Sequence, residues 1–205
     1  MHIDAALHKL NSLLPLKKRQ DVLNPYLKSL YREIILSLAH TGQAPSVTDI
    51  LSMNKLNQDD LIIYDEKNNK ITGAYPFSLK QTPHRILLSE SELFAMCAFD
   101  AVAIAPVYGV SVEIRSHCYI TKDEINIKQN ADKIVSVKPG SDIFIGIKWQ
   151  PAGTCAAENL CMEMIFLKNG HVAREWQAAS PNKNIFPLAE AIAFSVHYFR
   201  PLIEL

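Results

Sequence analysis

The spacing of apolar positions changes character along the chain. After a short amphipathic opening segment, Leu27, Leu30, Tyr31, Ile34 and Leu38 in "LKSLYREIILSLAHTG" recur at helical intervals, and Gly42 supplies a stop, so a helix is predicted. "SVTDILSM" begins with Ser46 and has Asp49 three residues later, a capping pattern that predicts a second, short helix. "LIIYDEKNNKITGAYPF" then reads as strand, polar turn, strand. Residues 1–88 therefore read as a helical, winged-helix-like N-terminal module. In residues 89–205 the pattern predicts a helix over "SESELFAMCAFDAVAIA", capped by Ser89 or Ser91. "VSVEIRSHCYI", "EINIKQ", "KIVSV", "DIFIGIKW" and "LCMEMIFLK" follow as strands, and "PLAEAIAFSVHYFRPLI" as a last helix from Pro187 to near Pro201. The gaps between these strands are too short for helical crossovers, so the sheet should be mostly antiparallel. The class is α+β, with flanking helices around that sheet.

Charge narrows the possible functions. Lys and Arg together number 21, as do Asp and Glu, so no overall field draws the chain to nucleic acid, membrane or an acidic substrate. A winged-helix-like module raises the question of DNA. Its second helix and flank carry Asp49, Asp59 and Asp60 against Lys55 alone, the wrong balance for neutralising phosphates, and a packing role is the better reading. The apolar window "LFAMCAFDAVAIAPVYGVSV" has the length of a membrane span. Asp100 at its centre would cost roughly 2.5–3.5 kcal/mol on an insertion scale, and Pro106 and Gly109 interrupt the helix, so a buried helix is expected. The opening "MHIDAALHKLNSLLPLKKRQ" lacks the basic start and small-residue cleavage site of a leader. We expect a cytoplasmic protein whose four cysteines are free thiols.

Chemistry concentrates in "FAMCAFD", where Asp100 stands three residues after Cys97 in otherwise apolar surroundings. On a helix the two share a face with Leu93 and Ile104. Burial there would raise the carboxyl's pKa and let it carry a proton near neutrality. The plainer alternatives are an inert core thiol and a carboxylate satisfied by an arginine. Read as a strand, residues 160–167 put Cys161, Glu163 and Ile165 on one face. Two thiols with a buried proton carrier suit a soft metal ion. A zinc set of Cys118, Cys155, Cys161 and His117 has no spacing in its favour.

These segments together resemble the organomercurial (alkylmercury) lyases. The resemblance rests on "LFAMCAFDAVAIAPVYGVSVEIRSHC", "NLCMEMIFL" and "REW", and runs from "YDEKNNKITGAYPFSL" to about Trp176. It implies a winged-helix-like N-terminal domain followed by an α+β catalytic domain, with Cys97, Asp100 and Cys161 catalytic. The implied reaction is protonolysis of a carbon–mercury bond. Hg(II) would be held by Cys97 and Cys161, with Asp100 a possible further ligand. No separate cofactor is implied; free low-molecular-weight thiols are co-reactants, and a mercuric reductase is a possible recipient of the product. Met96 stands where that family often has an aromatic residue, so the pocket wall should differ. Glu163 reads as a strand-edge residue in water, Cys118 as a structural thiol, and Cys155 stays unassigned. His84, His117 and His171 read as surface or hydrogen-bonded histidines, and Tyr75 and Pro76 as packing for the hairpin. Two other readings stay open: a lyase-fold enzyme acting on another carbon–heteroatom bond, and a non-enzymatic soft-metal-binding thiol protein.

Overall fold

The N-terminal helices follow from local signals. In the computed structural model, which describes residues 2–204, helices α1 (Ile3–Leu13), α2 (Leu16–Asp21), α3 (Pro25–Thr41) and α4 (Ile50–Gln58) come first. Helix α3 opens on Asn24, whose side chain accepts the Leu27 amide, and closes on Gly42 in the left-handed region at φ 70°. The predicted Leu27, Leu30, Tyr31, Ile34 and Leu38 are all buried. Helix α4 starts later than the sequence pattern predicts. Its N-cap is Asp49, which accepts the Ser52 amide, and not Ser46. Residues 43–49 are not helical, so the acceptor that meets the first free amides is the aspartate.

The predicted hairpin is present as β1 (Ile62–Asp65) and β2 (Lys70–Ala74). It continues through β3 (Phe77–Ser78), β4 (His84–Leu87), β5 (Glu92–Ala95), β6 (Ser111–His117), β7 (Glu124–Asn130) and β8 (Lys133–Lys138). Their order in the sheet is β1-β2-β3-β5-β4-β6-β7-β8, so hydrogen bonding runs without a break across residue 88. Strands β9 (Phe144–Lys148), β10 (Met164–Leu167) and β11 (Lys183–Pro187) form a second sheet in the order β10-β9-β11. Every pairing in both sheets is antiparallel. Helix α5 (Ala98–Tyr108) packs against β5, β6, β7 and β10 and against the C-terminal α7 (Leu188–Phe199); α6 (Gly170–Ala178) packs on the smaller sheet. Every residue of α5 is buried, which explains why it is apolar all round instead of striped. Phe99 anchors it between Phe186 and Phe194, with ring centroids 5.8 and 4.8 Å away.

Two predicted elements are corrected. The helix expected from Ser89 or Ser91 is a strand as far as Ala95, because Glu92–Ala95 pairs with His84–Leu87 on one side and Phe77–Ser78 on the other. Leu93 is therefore not on a helical face with Cys97. The strand expected over 160–167 begins only at Met164, since Leu160–Glu163 is a 3-10 turn. The strand-face grouping of Cys161 with Glu163 and Ile165 is lost with it.

Gly146 shows how tightly the smaller sheet meets α6. It lies on the middle strand opposite Ile165 and Ile185, and an added Cβ would come within 2.7 Å of Trp176. Gly146→Ala should destabilise the protein by about 1–3 kcal/mol through overpacking, read as a lower urea midpoint with an unchanged slope.

Candidate active site

Cys97 is the N-cap of α5. Its extended backbone (φ −150°, ψ 178°) turns the side chain over the helix start, where Sγ accepts the Asp100 amide at 3.4 Å. A sulfur thus takes the place usually filled by a serine or aspartate oxygen. Asp100 lies in the first turn, so the same cap geometry sets its carboxyl beside that sulfur. Cys161 arrives from the 3-10 turn before β10. The ligand atoms of Cys97, Asp100 and Cys161 all lie within 4.8 Å of one another. Among the described residues this is the grouping of three or more such donors, and the set Cys118, Cys155, Cys161 and His117 does not assemble.

The setting is dry, and that governs its protonation. Cys97, Asp100 and Cys161 are each at most 3 % exposed. Burial pushes the Asp100 carboxyl up to about 7, against the opposing pull of its contacts with Cys97. Asp100 Oδ2 is buried and free of hydrogen bonds to other protein groups, so nothing but the two thiols offers to stabilise a charge there. Burial holds the Cys97 thiol well above its ordinary range, with Cys161 and Asp100 adding to the effect. For Cys161 the bond with Cys97 pulls the thiol down, but burial and the charges of Asp100, Asp60 and Cys155 outweigh it and the net direction is up. Near neutrality the two thiols therefore rest protonated while Asp100 is divided between carboxyl and carboxylate, and a thiolate forms as its proton passes to the carboxylate.

A cavity of about 390 Å³ reaches Cys161 and is walled by Met96, Met162, Met164, His84 and Phe166. Met96 thus occupies the wall, as the sequence comparison implied. Met164 was not singled out from sequence. Its Sδ lies 3.5 Å from Cys97 Sγ, and its place three residues after Cys161 in "CMEM" is the signal that could have found it.

Other residues of interest are not members of the cluster. Glu163 is half-buried and faces Lys148 at 3.5 Å. His84 is buried, bonded through Nδ1 to Ser116 Oγ at 2.9 Å, and burial pushes its pKa down to about 3, which makes it a neutral core histidine. His171 is exposed beside Glu175. Cys118 is buried at the end of β6, and Cys155 is half-buried.

Comparison with known proteins identifies the family of the chain. The family model for MerB, alkylmercury lyase, matches residues 77–200, more than half of the chain. The chain belongs to the alkylmercury lyase family. An alkylmercury lyase of Bacillus cereus is 24% identical over 173 residues, covering 80% of this chain and 78% of that one. One from Staphylococcus epidermidis is 24% identical over 132 residues, which span 64% of this chain and 60% of the relative. Among solved structures, the mercury-bound form of MerB2 superposes with a TM-score of 0.74 at 22% identity, covering 92% of this chain and 98% of that one. The alkylmercury lyase match includes β3 to α7, and so all three residues of the cluster.

Among the described residues no helix is long and apolar enough to cross a membrane.

Proposed function

We propose that this protein cleaves the carbon–mercury bond of organomercurials by protonolysis, with Cys97, Cys161 and Asp100 as its catalytic residues. The observation that carries the reading is the buried cluster itself: two thiols and a raised-pKa carboxyl within 4.8 Å. Thiolates are the soft donors mercury prefers. A carboxyl near neutrality in pKa can both take and give a proton.

The steps balance without an added cofactor. An organomercurial arrives as R–Hg–SR′, bound to a small thiol. Asp100, as carboxylate, takes the Cys97 proton; the thiolate forms a sulfur–mercury bond and R′S⁻ departs, taking the Cys161 proton and leaving as R′SH. Cys161 then adds as the second thiolate, and its sulfur pushes electron density toward carbon. As the carbon–mercury bond breaks, its electron pair takes the proton carried by Asp100. Of the two thiol protons, one ends on R′SH and one on the hydrocarbon RH. Hg(II) stays between Cys97 and Cys161, with Asp100 close enough to be a further ligand. Two further small thiols release it as Hg(SR′)₂ and restore both protein thiols; a mercuric reductase is a fitting recipient. The dependence on free thiols fits the expected cytoplasmic setting.

The apolar cavity beside Cys161 would receive the organic group and exclude water that would otherwise level the carboxyl's pKa. Its flexible methionines suit alkyl and aryl groups of differing shape. The carboxyl of Asp100, raised in pKa and set beside both thiols, favours an enzyme over a thiol protein that merely binds soft metal, since two cysteines alone would serve the latter. Methane release from methylmercury in excess cysteine tests the choice: a binding protein takes up Hg(II) and releases none. Glu163 has no part in this scheme. Glu163→Gln should leave kcat and KM within about twofold of wild type, measured with phenylmercury, because its partner is Lys148 at the surface.

The reading of the N-terminal module as a packing unit, not a DNA reader, rests on the acidic balance of α4 and its flank. Lys55 on α4 is already paired with Asp59 at 2.9 Å. We assign residues 1–88 a supporting role toward a catalytic domain of residues 89–205.

A further inference from the structure

Cys161 lies on a stretch that regular pairing does not hold. Between Lys148 at the end of β9 and Met164 at the start of β10 the chain forms only two short 3-10 turns, Ala156–Glu158 and Leu160–Glu163. Such a segment opens locally far more readily than a strand or helix. Yet the proposed chemistry needs the Cys161 sulfur held close to Cys97 and Asp100, where small displacements cost rate steeply.

A buried polar chain from the N-terminal module reaches this stretch. Asp60 is 5% exposed and sits in the left-handed region at φ 49°, a conformation that aspartate tolerates better than most residues. Its Oδ2 accepts from Arg19 Nη1 at 3.1 Å and from the Ala156 amide at 3.3 Å. Its Oδ1 accepts from the Tyr75 hydroxyl at 3.1 Å, and that hydroxyl in turn accepts from the Ala157 amide at 3.0 Å. The first amides of a helical turn have no partner within it. Here Asp60 and Tyr75 supply those partners from far away in sequence.

We propose that Asp60, oriented by Arg19 and extended by Tyr75, is a positioning group that pins the 155–161 segment and so fixes Cys161 in the catalytic cluster. The N-terminal module is on this account part of the active-site apparatus, holding one of its two thiols in place. The inference rests on Cys161 being a site thiol. Tyr75, read from sequence as packing alone, gains a hydrogen-bonding task, and the acidic character of the module at Asp60 has a structural purpose.

The test measures cysteine exposure in the full-length protein without mercury. Iodoacetamide labelling at each of the four cysteines is followed by mass spectrometry in wild type, Asp60→Asn and Tyr75→Phe. Asn lacks the second acceptor oxygen, while Phe keeps the ring and loses only the hydroxyl, so it protects the test if the first variant folds poorly. We expect labelling of Cys155 and Cys161 to accelerate about tenfold or more while Cys118, outside both the segment and the cluster, keeps its wild-type rate. Equal acceleration at all four thiols would mean only a less stable fold, and unchanged rates would mean no pin; either overturns the proposal. Turnover, measured alongside, should fall in kcat with little change in KM. Selective labelling in variants of a protein whose wild type releases no hydrocarbon would sustain the pin and remove the lyase reading instead.

Discussion

Asp100→Asn should abolish hydrocarbon release while making the protein more stable above neutral pH. Loss of the proton carrier removes general acid catalysis, an effect of about 10²–10⁴-fold by itself. The gain in stability follows from the carboxyl's pKa. In the folded protein it is about 7, against an ordinary value of 3.8. Between those values the folded state keeps a proton that the unfolded chain releases, so stability falls as pH rises from about 4 to 7. Above 7 the buried charge costs its full amount, on the order of 4 kcal/mol for a shift of roughly three units. Asparagine fills the same space and carries no charge at any pH. Urea unfolding of the two proteins should show the variant ahead by roughly 2–4 kcal/mol at pH 8 and nearly level at pH 4. Equal stability at pH 8 would mean that Asp100 is not desolvated in solution as it is in this structure.

Replacing either cysteine should be as damaging, but the two should fail at different points. Cys97→Ser removes the thiol at the helix start next to the proton carrier, so organomercurial capture should fall to what Cys161 alone provides and cleavage should be lost. Cys161→Ser keeps the first thiol, so intact-mass measurement should find an uncleaved R–Hg adduct that accumulates without hydrocarbon. A serine hydroxyl at these pH values is a hard, protonated donor that mercury binds poorly. Two-point attachment also raises affinity by about 10²–10⁴-fold over one thiolate. Competition with dithiothreitol should therefore strip Hg(II) from either variant at far lower thiol concentration than from wild type.

Much of this could be read from the sequence, and the failures share a cause. Helix α3 and the β1–β2 hairpin were legible because each carries its own stop and turn residues, Gly42 and "DEKNN". The start of α5 was not, because residues 93–107 are an apolar run broken only at Asp100, in which neither period stands out. Pairing of Glu92–Ala95 with residues distant in sequence places that boundary. Cys97 and Asp100 were still paired correctly, since an N-cap residue and the third residue of its helix meet just as two residues on a helical face do. The proximity of Cys161 is a tertiary fact that no local pattern contains, and resemblance to a family supplied it. Helix α6, marked by Asn169 capping Val172, was missed behind the strong strand pattern before it. Asp60 counted in the sequence only as a charge, because its partners at Arg19, Tyr75 and Ala156 come together only in the fold.

The most direct measurement of the central claim is a single turnover of phenylmercury by the purified protein in D₂O with excess thiol. Wild type should release benzene bearing one deuterium, one equivalent per mercury, and Cys97→Ser and Asp100→Asn should release none. Absence of benzene from wild type, with Hg(II) still bound through Cys97 and Cys161, would contradict the account and leave a thiol site that binds mercury without cleaving its bond to carbon.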